Sequence, residues 1–341
     1  MTLRVFGRTG AGRPVHEISL AAGDLSVAVL DWGAVIRRLD WHGAAEGTRP
    51  LVLGLERFAD YEAHSPHMGA VAGRFGNRIG HGRLSIDGVV HPLPINHAGL
   101  HHLHGGTPGF GCRPWTLADH GPAHVTLTLH SPDGDQGYPG AVDVSLTYRL
   151  EPTRLAIEMT GRTDRPTVLN LATHSYFNLD DSPDILDHRL MIPADAYCPV
   201  DATGLVTGAV LPVEATPYDF RRLRPVRTQL ADGGLQRFDN NYALAAAPSP
   251  VPRLAARLEG ARGDVAMEVW SSEPGIQLFD SAPIGFPGPG LDGRRYAGGA
   301  GLCLEPQRFP DCPNHPHFPD ALLRPGETYR QHTEYRFQLG G

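Results

Sequence analysis

Histidine, asparagine, aspartate and arginine gather in six stretches of this 341-residue chain: GRFGNRIG (73–80), HHLHGGTPGFGCRPW (101–115), SPDGDQGYPG (131–140), NLATHSYFNL (170–179), RFDNNYAL (237–244) and CLEPQRFPDCPNHPHFP (303–319). They offer hydrogen-bond donors and acceptors in close alternation, with aromatic residues between them. That mixture suits a sugar. Each hydroxyl both donates and accepts, and the apolar face of a pyranose stacks on an aromatic ring. The stretches read as loop-like, and loops are where binding and catalytic groups concentrate.

What the chain lacks narrows the chemistry further. There is no lysine, so all 30 basic residues are arginine. A Schiff-base aldolase, a pyridoxal-phosphate enzyme and a Walker A nucleotide site each need a lysine amine and are excluded. Arginine, histidine and carboxylates are left to carry any reaction. A formal net charge of −7 argues against a nucleic-acid partner, whose phosphates call for a basic patch. Cys112, Cys198, Cys303 and Cys312 lack C-x-x-C spacing and read as reduced thiols, not a disulfide scaffold or a structural zinc site. The opening MTLRVFGRTGAGRPVHEISL has no apolar h-region, and no later stretch approaches a membrane span. A cytoplasmic location with no membrane partner is therefore expected. Gly80-His81-Gly82 lacks the rest of a dinucleotide fingerprint, Asp133-Gly134-Asp135 lacks the rest of a calcium loop, and no G-x-S-x-G is present.

The elements that must position these residues are mostly strands. Val142, Val144, Leu146, Tyr148 and Leu150 alternate with polar residues; a turn-like EPTR follows, and Leu155, Ile157 and Met159 alternate again, which reads as a hairpin. The same period of two runs through Val125–Leu129, Val265–Val269 and Tyr329–Leu339, and Asp87-Gly88 is a two-residue hairpin turn between LSI and VVHPL. Helical spacing is confined to ERFADYEAH and RPVRTQLAD. With 41 glycines, 31 prolines, 41% hydrophobic residues and no Gly/Ser linker, the expected fold is all-β. It is a large antiparallel β-sandwich with few short helices, residues 1–341 forming a single domain.

In this order and spacing the motifs resemble the aldose 1-epimerase (galactose mutarotase) family. GRxxNRI, HGG, DGxxGYPG, NxxxHSYFNL and LExQxFPDxPNxPxFP are all present, and the similarity runs from LVLG…DY at 51–61 to RPGETY…YRF at 324–337. The resemblance implies a galactose mutarotase-like supersandwich with an open cleft, which interconverts the α- and β-anomers of a free aldose such as galactose or glucose without cofactor or metal. Glu305 matches the family's base and His174 its acid, which requires Glu305 ionised and His174 protonated in the resting enzyme. Arg78, Asn77, His104, Asp239 and Gln277 match substrate-binding positions. Phe75-Gly76-Asn77, His101-His102 ahead of LHGG, Asn240 after Asp239 and Asp135-Gln136 depart from the family pattern, at positions that bear on sugar preference and not on reaction type. The implied partner is a small-molecule sugar, with the chain a monomer or homodimer.

Three other readings compete. On a strand, His102 and His104 project to one face and, with His174 or Glu305, have the spacing of a zinc hydrolase site. Against it stands the expectation that His101 and His102 lie on the surface. A non-catalytic carbohydrate-binding sandwich would keep the cleft but need not keep the acid–base pair. A hexose-phosphate epimerase would need arginines around a phosphate, and Arg221, Arg222 and Arg224 are the clustered candidates.

Overall fold

A computed structural model describes residues 1–64 and 67–339. Three larger antiparallel sheets carry the chain. The first is an N-terminal meander of five strands from Thr2–Arg8 to Gly47–Pro50. The second has nine strands, in the order Thr116–His120, His124–Ser131, Val142–Glu151, Arg154–Thr163, Tyr329–Leu339, Val265–Ser271, Arg253–Glu259, Arg189–Met191, Arg224–Pro225. The third has six, in the order Tyr176–Phe177, Leu302–Gln307, Gly275–Phe279, Asp239–Ala243, Ala196–Cys198, Leu211–Pro212. Phe58–His64 is the one α-helix among the described residues, and no helix is long and apolar enough to cross a membrane.

The sheets stack because each strand alternates. Val142, Val144, Leu146, Tyr148 and Leu150 are buried while Asp143 and Arg149 are exposed. Leu155, Ile157, Met159, Tyr335 and Val269 continue that apolar face across the nine-stranded sheet. Ile276, Leu278, Leu302, Leu304 and Tyr242, from the six-stranded sheet, join them in one core. Full burial of each such aliphatic side chain contributes roughly 1.5–3 kcal/mol, so this shared face holds the sandwich together.

Both hairpins read from the sequence form as expected. Glu151 pairs with Arg154 across Pro152-Thr153, and Ile86 pairs with Val89. Asp87 and Gly88 both take positive φ, 49° and 81°, as a two-residue hairpin turn requires. The helix expected at RPVRTQLAD does not form. Arg224–Pro225 is a short edge strand, and the next two amides donate to neighbouring chain, Val226 to the His188 carbonyl and Arg227 to that of Leu186. Those tertiary bonds take the donors that a helical turn there would use.

The SPDGDQGYPG stretch proves structural. Its residues surround the buried guanidinium of Arg74. Arg74 donates to the carbonyls of Ser131, Pro132, Pro139 and Gly140 and to the Ser131 and Thr167 hydroxyls. Burial lowers its affinity for its proton, to a pKa of about 10, still charged at neutral pH. Arg74→Met leaves several of these acceptors without a donor. A loss on the order of 3 kcal/mol is expected, read as a lower urea midpoint with an unchanged m-value; a midpoint equal to that of wild type would contradict this role.

Candidate active site

Glu305 owes its position to strand alternation. Along Leu302–Gln307, Leu302 and Leu304 enter the core, so Cys303, Glu305 and Gln307 face the other way. Register then lines up their neighbours on that face: Glu305 opposite Gln277, Cys303 opposite Phe279 and Tyr176, Gln277 opposite Asn241, and Phe279 opposite Asp239. Two of the stretches read as loops, CLEPQ and DNNYA, are thus adjacent or near-adjacent strands of the six-stranded sheet.

Loops close over this face, and one buried side chain ties three of them. The Asn170 amide nitrogen donates to the Gly76 carbonyl at 3.3 Å, its oxygen accepts from the Arg308 amide at 2.8 Å, and its backbone carbonyl accepts from the Gly76 amide at 2.6 Å. Asp311 adds a second tie. Its carboxylate accepts from the Gly80 amide and its own amide donates to the Arg78 carbonyl, both at 2.9 Å. Arg78–Ile79 pairs in turn with His102–Leu103. Gly105 permits that close passage: it has φ +81°, and a Cβ there would lie 1.9 Å from the Gly73 carbonyl oxygen.

Between sheet and loops lies a cleft of about 450 Å³ lined by Asn77, Arg78, His104, His174, Asp239 and Glu305, among others. The size suits a small-molecule site. His174 Nε2 lies 3.8 Å from Glu305 Oε1, and both side chains are almost wholly buried. Tyr176 stacks on the His174 ring at 5.1 Å and Phe279 meets it edge-on. At the more open side, the Asp239 carboxylate receives the Gln277 amide at 2.6 Å and an Arg78 N–H at 3.3 Å.

His104 is held in one tautomer. The Asn77 amide donates to its Nδ1 at 3.1 Å, so that nitrogen carries no proton and Nε2 does. Burial pushes its pKa well below the ordinary value, and the ring stays a neutral donor. Asn77 fits this clasp because its backbone takes φ 63°, a region that asparagine enters more readily than most residues. Its Oδ1 also accepts the Arg78 amide at 2.8 Å.

Burial acts against charge on both central groups. Desolvation raises the Glu305 carboxyl well above its usual range, with the Asp239 charge adding to the rise and Arg78 opposing it. Desolvation lowers His174 to about 4, partly offset by its backbone contact and Asp239. The ionised pair expected from the sequence is therefore not the form that burial favours. A neutral carboxylic acid beside a neutral imidazole holds the same single proton on the other partner.

The zinc arrangement drawn from the sequence is not formed. The strand ends at Leu103, and His104 turns away with φ 51°. His102 is fully buried, its Nδ1 at 2.7 Å from the Pro94 carbonyl and its ring against Tyr138. His101 is buried as well: its Nδ1 accepts from the His81 amide and its Nε2 meets the Thr203 hydroxyl. Both were expected on the surface; hydrogen-bond partners within the fold let them be buried. The arginine cluster also lies elsewhere. Arg221 is taken by Asp219 and Asp195, Arg224 by the Asp219 and Pro217 carbonyls, and none of Arg221, Arg222 and Arg224 lines the cleft.

The aldose 1-epimerase profile matches residues 16–336. This chain belongs to the aldose 1-epimerase family. It is 38% identical to mouse galactose mutarotase over 344 residues, covering 99% of each chain, and 33% identical to the aldose 1-epimerase of Escherichia coli K12 over 336 residues, covering 96% of each. The crystal structure of a GalM/aldose epimerase homologue from C. elegans superposes with a TM-score of 0.88 at 30% identity, covering 95% of this chain and 99% of that one. A galactose 1-epimerase from Lactobacillus acidophilus shares the fold at a TM-score of 0.83 and 24% identity.

Within this epimerase, all seven residues singled out from the sequence converge, six on the cleft wall and Gln277 through its bond to Asp239. His67, Asn96, His97, Tyr176 and Phe279 also line the cleft and were not foreseen as binders. His67 is the notable one, with its ring 4.4 Å from that of His104 and stacked on His174 at 5.9 Å. It follows a helix in SPHMGA, where no spacing marks it. The His104 clasp makes a prediction for ¹⁵N-NMR: neutral His104 with its proton on Nε2 throughout pH 5 to 8. A proton on Nδ1, or titration near 6.5, would contradict it.

Proposed function

We propose that this epimerase interconverts the α- and β-anomers of free aldohexoses such as galactose and glucose, with Glu305 as the base and His174 as the acid. The observation that carries the reading is the pair itself, 3.8 Å apart and almost wholly buried at the wall of a cleft with polar lining. Ring opening needs one proton removed from the C1 hydroxyl and one delivered to the ring oxygen, two oxygens bonded to the same carbon. Neighbouring proton carriers can serve both. Glu305 takes the hydroxyl proton as His174 protonates the ring oxygen and the C1–O5 bond breaks. The open-chain aldehyde turns about C1–C2, and the two transfers reverse from the other face.

The proton count links this chemistry to the burial. The cyclic sugar meets carboxylate and imidazolium, whereas the aldehyde state leaves carboxylic acid and neutral imidazole. Burial favours the uncharged state both before and after the sugar reacts, so the ionised pair forms at a cost that is recovered as its protons pass to and from the sugar. Arg78 opposes by favouring carboxylate, so the pair is held between the two. In this reading, Asp239 and Gln277 accept and donate to ring hydroxyls, Asn77 and Arg78 donate, and the fixed Nε2–H of His104 donates near the ring oxygen. Placement of these groups sets the sugar preference. The position of the arginine cluster weighs against a phosphorylated sugar.

Only the singly protonated pair is active, so kcat/KM should fall on both sides of a plateau. The acid limb reflects a second proton on the pair, near pH 4, where His174 titrates. The alkaline limb reflects loss of the last proton, at the raised carboxyl. Asp239 favours the proton on both groups, so Asp239→Asn should move both limbs to lower pH. Arg78→Gln removes a charge that favours the carboxylate and should move the alkaline limb to higher pH. Polarimetry on fresh α-D-galactose across pH measures this. Limbs that stay in place in both variants would sink the assignment.

A further inference from the structure

We infer that His174, Cys303 and Glu305 form a binding site for a zinc-like divalent cation at the buried wall of the cleft, which excludes the sugar when filled. Cys303 and Glu305 are two residues apart on one face of the strand Leu302–Gln307, and His174 approaches from the facing segment. One ligand atom from each lies within 4.8 Å of the others. Tetrahedral zinc, at about 2.0 Å from nitrogen or oxygen and about 2.3 Å from sulfur, needs donors roughly 3.5 Å apart. The 3.8 Å between His174 and Glu305 already approaches this, and the wider separations close with a shift on the order of 1 Å.

The donors are of the right kind. Glu305 Oε2 is buried with no hydrogen-bond partner, and the Cys303 thiol would exchange its hydrogen bond with Tyr176 for the metal. Imidazole, thiolate and carboxylate together match zinc or cobalt and mismatch magnesium and calcium, which prefer oxygen. A dication compensates a thiolate and a carboxylate at once. Three protein ligands leave a fourth position for water.

The site rests on donor geometry alone; its effect on turnover rests on the proposed roles of Glu305 and His174. Cys303 has no part in ring opening, so Cys303→Ser should keep basal activity and fold.

Cobalt(II) is the probe. Chelator-stripped wild type should take up one Co²⁺ with a near-ultraviolet thiolate charge-transfer band, and both zinc and galactose should erase that band. Cys303→Ser should show no band, and zinc should inhibit it about 10-fold less than wild type or weaker still. For wild type, zinc should raise the apparent KM and leave kcat unchanged. Absence of a thiolate band at stoichiometric cobalt, or equal zinc inhibition of wild type and Cys303→Ser, overturns the proposal. Should Cys303→Ser fail to fold, Glu305→Gln replaces it, and a wild-type band in that variant overturns the site equally. A band in wild type without inhibition supports the site and overturns the catalytic roles instead.

Discussion

Two ionisable side chains taken out of water within 3.8 Å of each other set the terms for this molecule. Removing a charge from water costs several kcal/mol per ion even after relaxation, so neither Glu305 nor His174 holds its charge cheaply. Each can lose it by passing the proton to or from a partner. A sugar whose ring oxygen accepts one proton as its hydroxyl yields another is such a partner. The burial that makes the charged pair uncomfortable also gives the pair a reason to exchange protons with a sugar bound beside it.

That constraint explains why so much of the chain is devoted to closing the cleft. Glu305 lies on a sheet face that would be open to water without the loops that cover it. Asn170 binds three of those segments, and Asp311 ties a further contact between them. The His104 clasp shows the same logic at the atomic scale. A backbone amide at its Nδ1 settles which nitrogen donates before any ligand arrives, so no reorientation is needed on binding.

The strands were legible wherever one face meets the core and the other meets solvent, as at Val142–Glu151. Leu302–Gln307 is different, because loops bury its second face too. There the alternation survives only as polar residues at 305 and 307, and the motif carried the site more than the periodicity did. His101 and His102 misled because a histidine with partners at Thr203 or Pro94 is content in the interior, and sequence does not show such partners. His67 was invisible because it reaches the cleft through tertiary packing alone. RPVRTQLAD has helical spacing, but bonds to His188 and Leu186 override it.

The most direct test of the account is anomer exchange of galactose, followed by NMR with EDTA present, in wild type and Glu305→Gln. The substitution keeps shape and removes the base. A positioned general base contributes roughly 10²- to 10⁴-fold, so Glu305→Gln should fall by that much while still binding galactose and keeping its thermal midpoint. Exchange in Glu305→Gln within a few-fold of wild type would contradict the central claim, whatever else the cleft binds.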